Sequence, residues 1–208
     1  MINTSYLAQA AILLPAFLIA VSFHEFCHAL AATLLGDDTA KRSGRLTLNP
    51  LAHVDLLGLF FLIVFKIGWA NPVQIDQRNF KHPRLYSIIT ALAGPFSNFF
   101  LAIMALLLIK FFPETLFNSA ATTTLVQILD ATASINIMLG VFNILPIPPL
   151  DGSHIIAALL TKRFPRFVAW MYRYSLIILL ALFILPPTRQ LLFVLITYTE
   201  NFIRSLIS

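Results

Sequence analysis

His24, Glu25, Phe26, Cys27 and His28 put two imidazoles four residues apart, with a carboxylate next to the first. On a helix this spacing sets both histidines on one face, one turn apart, where they can share a metal ion. Glu25 then adjoins the first ligand, and its carboxylate can reach a water at the metal and act as general base. A catalytic zinc takes three protein ligands and leaves a fourth position open, so one more ligand must come from elsewhere in the chain. Cys27 lies on a different helical face and reads as a small packing residue. His53 and His82 lie in basic stretches, where a solvated or hydrogen-bonded histidine is expected. Asp151 and His154, one turn apart, remain as rival third ligands. A purely structural His-Glu-x-x-His helix fits poorly here, because two histidines and a carboxylate in an apolar span are costly without partners.

The surrounding chain has to carry these groups through lipid. Of 208 residues, 59% are hydrophobic and 11% charged, and the mean hydropathy is +0.85, too apolar for a soluble domain. A single membrane-embedded domain over residues 1–208 is expected, since no linker, charge block or repeat divides it. One cysteine excludes an intrachain disulfide framework. The net charge of +5 forms no continuous basic stripe, which argues against nucleic acid as a partner. The first apolar run lacks a basic leader and a cleavage signal, and reads as a retained span.

Five apolar runs are long enough to cross a bilayer: roughly 6–35, 86–112, 122–160, 167–185 and 190–207. The shorter run Leu56–Ile67, bracketed by Gly58 and Gly68, suits a re-entrant or interfacial segment. The fold class expected is therefore an all-α polytopic membrane protein of about five transmembrane helices plus that segment. Basic residues gather at 41–45, 78–84 and 162–166, whereas the loop at 113–120 has Glu114 and none. Short cytoplasmic loops collect Lys and Arg, so these clusters are expected inside and the N-terminus outside. Pro146, Pro148 and Pro149 cannot sit in a helix interior, so the third run must break within the membrane, as it would beside a polar site. Asp151 lies about 15 Å from the cytoplasmic end of its run and His28 about 10 Å from the end of the first. These similar depths favour Asp151 over His154.

The segments His24–His28, Asn49-Pro50-Leu51-Ala52-His53, Gly68-Trp69-Ala70-Asn71-Pro72-Val73, Ala93-Gly94-Pro95-Phe96-Ser97-Asn98 and Asn143–Gly152 together resemble the site-2-protease family of intramembrane zinc metalloproteases. They occur in the family's order over about residues 10–160, in a minimal bacterial or archaeal form without a PDZ or CBS domain. The resemblance implies a catalytic core over about 6–160, with further helices at about 167–207. It implies one Zn2+ per chain held by His24, His28 and Asp151, with Glu25 as base and Asn143 polarising the scissile carbonyl. It further implies cleavage of single-span membrane proteins near the cytoplasmic face of a cell membrane, as in regulated intramembrane proteolysis. The stretch Leu51–Ile67 is shorter than the family's usual one. A zinc transporter or sensor could use the same ligands, but would need polar residues through both membrane halves, and only Asp130 lies toward the outer side.

Overall fold

The computed structural model describes residues 4–55, 57–58, 70–111 and 120–207. In chain order the helices are α1 (Thr4–Leu34), α2 (Thr39–Arg42), α3 (Pro50–His53), α4 (Pro83–Lys110), α5 (Ala120–Ile144), α6 (Ser153–Leu160), α7 (Pro165–Arg173), α8 (Ser175–Ile184) and α9 (Pro186–Ile207), with a short 3-10 turn at Gln77–Asn79. Pro50 and Pro83 open α3 and α4, where the missing N–H is not needed. Asn49 also caps α3, its side chain accepting from Leu51 N. Among the described residues the fold is all-α, and the sole β pairing is an isolated antiparallel bridge between Val54 and Ala70.

Three helices, α1, α4 and α5, pack on one another and form the centre. Ala20, Ala29 and Ala32 of α1, Ala91 and Ala102 of α4 and Ala133 of α5 are buried. Small side chains let helices approach closely where lipid, as apolar as the core, offers no hydrophobic drive to association. Ile19, Phe96, Phe100, Leu108 and Met138 stay exposed on the outside, as a lipid-facing surface requires. Ile203 of α9 joins Ala105, Leu106 and Ile137 in a cluster at one end.

Among the described residues α1, α4 and α5 are each long and apolar enough to cross a membrane, whereas α7 and α8 reach that length only when taken together across a sharp bend. The chain is thus an all-α polytopic membrane protein. Of the five expected runs, the last is α9, long enough but more polar, with Gln190, Glu200, Asn201 and Arg204 in it. The third run is interrupted after Ile144, as its prolines require. Its first 23 residues, Thr122–Ile144, already have the length of a crossing. Residues 145–152 then turn without regular structure, and α6 follows as a separate short helix. The fourth run bends by 64° between α7 and α8. The expected re-entrant segment falls mostly outside the described residues, as do Gly68, Trp69 and the loop at 113–119.

Loops between α1 and α4 are tied under the bundle. Asp37, fully buried at the end of α1, accepts from Thr39 N at 3.0 Å, Asp76 N at 2.7 Å and Asn79 Nδ2 at 2.7 Å. Asn71 N donates to His53 O at 2.7 Å, and Arg45 Nη1 donates to Ala52 O. His53 is buried rather than solvated, with Nε2 on Thr47 O at 2.8 Å. His82 remains exposed.

Candidate metal centre

Near the end of α1, His24, Glu25 and His28 are all buried, at 7%, 8% and 6% relative exposure. The chain reversal after α5 brings Asp151 to them. That reversal depends on Gly152, whose N–H donates to Asn143 O at 2.7 Å. A Cβ at residue 152 would lie 2.0 Å from Ile144 O, so no other residue fits. Asp151 Oδ2 stands 3.2 Å from His24 Nε2 and 3.3 Å from His28 Nε2, while the two Nε2 atoms are 3.0 Å apart.

The other ring nitrogens fix the protonation pattern. His28 Nδ1 lies 2.7 Å from Thr90 O, which can only accept, so Nδ1 carries the proton. His24 Nδ1 lies 2.6 Å from Asn98 Oδ1. The orientation of the Asn98 amide follows from its Nδ2, which faces the backbone acceptor Ala20 O at 3.4 Å and donates to Asn136 Oδ1 at 2.7 Å. Asn136 is oriented in turn by donating to Thr132 O at 2.8 Å. A polar relay thus runs from α5 through α4 to α1 and holds His24 with its proton on Nδ1. Both Nε2 atoms therefore present lone pairs toward Asp151 Oδ2, which is buried and makes no hydrogen bond. Three acceptors crowded together in an apolar interior repel one another unless a cation lies among them. His24, His28 and Asp151 form a group able to hold a metal ion.

Gly94 is the close neighbour that allows this packing. A Cβ there would sit 2.3 Å from His28 Nε2 and 2.6 Å from His24 Cε1. What approaches Gly94 is the pair of imidazoles.

Glu25 Oε2 accepts from Val73 N at 2.9 Å, so the extended stretch after Ala70 fixes the carboxylate. A cavity of about 180 Å³ opens beside these groups, lined by Glu25, His28 and Asp151, by the polar Gln77, Ser87, Thr90 and His154, and by Pro72, Val73 and Ile75 among others. His154 is on this wall but is not part of the three-residue cluster. Asn143 stands half-buried on the last turn of α5 and is not among the lining residues. Sequence reasoning missed Asn136, Thr132 and Thr90. Thr90 and Thr132 act through backbone carbonyls and have no side-chain signature at all. Asp130 is exposed on α5 and accepts from Arg204 Nη1 at 2.8 Å.

Comparison with known proteins agrees with this arrangement. The model of peptidase family M50 matches residues 12–182. Over 173 residues, 81% of this chain and 78% of the relative, the sequence is 38% identical to YwhC of Bacillus subtilis. Over 206 residues, 95% of this chain and 76% of the relative, it is 31% identical to Rip2 of Mycolicibacterium smegmatis. Rip2 of Mycobacterium tuberculosis is 28% identical over 187 residues, 88% of this chain and 70% of the relative. All three are named as candidate zinc metalloproteases. No solved structure matches the chain. A match over most of the sequence, with the paired histidines, Glu25 and Asp151 gathered at one cavity, identifies the chain as a member of peptidase family M50, the site-2-protease family.

Proposed function

We propose that the chain is an intramembrane zinc metalloprotease that hydrolyses peptide bonds of single-span membrane proteins near the cytoplasmic face of a bacterial or archaeal cell membrane. The observation that carries this reading is the convergence of His24 Nε2, His28 Nε2 and Asp151 Oδ2 beside Glu25, between helices that can span a bilayer. Zinc fits the donor set. Tetrahedral coordination with bonds of about 2.0–2.1 Å needs ligand atoms about 3.3 Å apart, and the three separations are 3.0, 3.2 and 3.3 Å. Two neutral imidazoles and one carboxylate leave a fourth position for water or substrate.

A zinc ion held there would supply Lewis acidity, polarising the scissile carbonyl and acidifying the attacking water. The protein's own groups do the rest. The cavity has room for roughly six waters at about 30 Å³ each, and Gln77, Ser87, Thr90 and His154 give it polar walls, so hydrolytic water can persist at depth. Glu25, held by Val73 N–H, takes the proton from the attacking water and returns it to the leaving amine. Asn143, just before the reversal that carries Asp151, is the amide donor proposed for the developing oxyanion. Helical amides are shielded by their own hydrogen bonds, so the substrate must unwind to reach the site. The N-terminus is proposed to lie outside, which puts the cavity toward the cytoplasm and makes regulated intramembrane proteolysis the natural use.

The test is cleavage of candidate single-span proteins by the purified chain in detergent. Cleavage that stops with a chelator and returns with zinc is expected. Cleavage by metal-free protein would overturn the reading, as would zinc uptake into sealed vesicles without cleavage of any candidate.

A further inference from the structure

The stretch 162–174 contributes nothing to the cavity, yet its composition is distinctive. Lys162, Arg163, Arg166 and Arg173 fall within it, and no Asp or Glu occurs between Asp151 and Glu200. None of the four bases pairs with a carboxylate among the described residues. On α7 Val168 alone is buried, at 7% exposure, and Tyr172, itself 41% exposed, reaches Ser153 Oγ of α6 with its Oη at 3.3 Å. The opposite side carries Phe167, Trp170 and Tyr174, at i, i+3 and i+7, with exposures of 48%, 51% and 37%. The rings form a ladder, Phe167 to Trp170 at 6.2 Å between centroids and Trp170 to Tyr174 at 5.6 Å. Arg173 sits over the Tyr174 ring at 5.9 Å.

The next helix fixes where this face lies. Apart from Ser175, α8 consists only of Leu, Ile, Ala and Phe, so it must sit in hydrocarbon. The 64° bend at Tyr174 then turns α7 toward the membrane plane, at the level where α8 enters. Aromatic rings prefer that headgroup level, and unpaired Lys and Arg beside them complement anionic lipid. We propose that α7 is a membrane-surface anchor selective for anionic phospholipid, with the Phe167–Trp170–Tyr174 ladder in the headgroup layer and Lys162, Arg163, Arg166 and Arg173 on lipid phosphates.

Trp69 and Trp170 are the only tryptophans in the sequence, so Trp69→Phe makes Trp170 a single fluorescent reporter in the full chain. The protein is reconstituted in nanodiscs of equal phosphatidylcholine and phosphatidylglycerol, with brominated acyl chains on one lipid or the other. Trp170 is expected to be quenched in both, roughly two-fold more strongly when bromine is on phosphatidylglycerol. That preference should vanish in 1 M salt, where the Debye length is about 3 Å, and in the K162Q/R163Q/R166Q/R173Q variant. Equal quenching by the two lipids would overturn the charge selectivity. Absence of quenching by either would mean that protein covers the aromatic face, and would overturn the anchor itself. The salt arm uses unaltered basic residues, so misfolding of the quadruple variant does not rescue the proposal.

Discussion

Two substitutions beside the ligands, at Gly94 and Asn98, separate the metal site from the helices that carry it. Gly94→Ala puts a Cβ 2.3 Å from His28 Nε2, whereas alanine favours helix over glycine by about 1 kcal/mol. The helical signal of the variant should therefore persist in circular dichroism while bound zinc and cleavage are lost. Wild-type zinc content in Gly94→Ala would show that the two rings are not held as described. Asn98→Ala removes the acceptor of His24 Nδ1 and leaves Asn136 Oδ1 unpaired. Zinc affinity measured by chelator competition should fall about 10–100-fold, the usual effect of losing such a supporting contact; unchanged affinity would mean that the relay does not orient His24. The His-Glu-x-x-His group is legible in the sequence because a local spacing encodes its geometry. Asp151 is legible through the depth of its run. Asn136 is not, being a polar residue of an ordinary helix whose use arises only where α1, α4 and α5 meet, and Thr132 is not, since it acts through its backbone carbonyl.

Asp37 links elements that the catalytic chemistry needs but does not contain. Burial alone would raise its carboxyl pKa, but hydrogen bonds from the Thr39 and Asn79 side chains and the Asp76 and Thr39 amides outweigh burial and hold it below the usual range. With the folded value lowered, its stabilisation is complete above the unfolded value of about 3.9 and is lost as pH falls through the folded value. Thermal unfolding in detergent should thus show extra loss of stability below about pH 4 in the wild type and a shallower loss in Asp37→Asn. Parallel pH profiles would remove Asp37 as the tie between α1 and the turn at Gln77–Asn79. The break after α5 is legible from Pro146, Pro148 and Pro149, since each lacks a donor. The bend between α7 and α8 is not, because Arg173-Tyr174-Ser175 contains neither proline nor glycine. It marks a change of surroundings, where an amphipathic helix gives way to an all-apolar one.

For the molecule as a whole, composition makes lipid the solvent legible, while the number of crossings depends on packing: α9 has the length of a span, yet Glu200 and Arg204 pair within it at 2.9 Å and Arg204 reaches Asp130 of α5. Basic clusters at 41–45, 78–84 and 162–166 should share the cytoplasmic side. In a Cys27→Ser background, cysteines at Ser43, Lys81 and Lys162 should react with an impermeant reagent only after cells are opened, and one at Ser119 in intact cells. Labelling of Ser43 and Lys162 from opposite sides would contradict a site built from both α1 and the reversal after α5. The peptidase reading itself rests on Glu25 acting as base at a metal that it does not bind. Glu25→Gln keeps the size and a hydrogen-bonding end, so the purified variant should retain about one zinc per chain while cleavage of a single-span substrate falls by about two to four orders of magnitude. Undiminished turnover by the zinc-loaded variant would contradict the account.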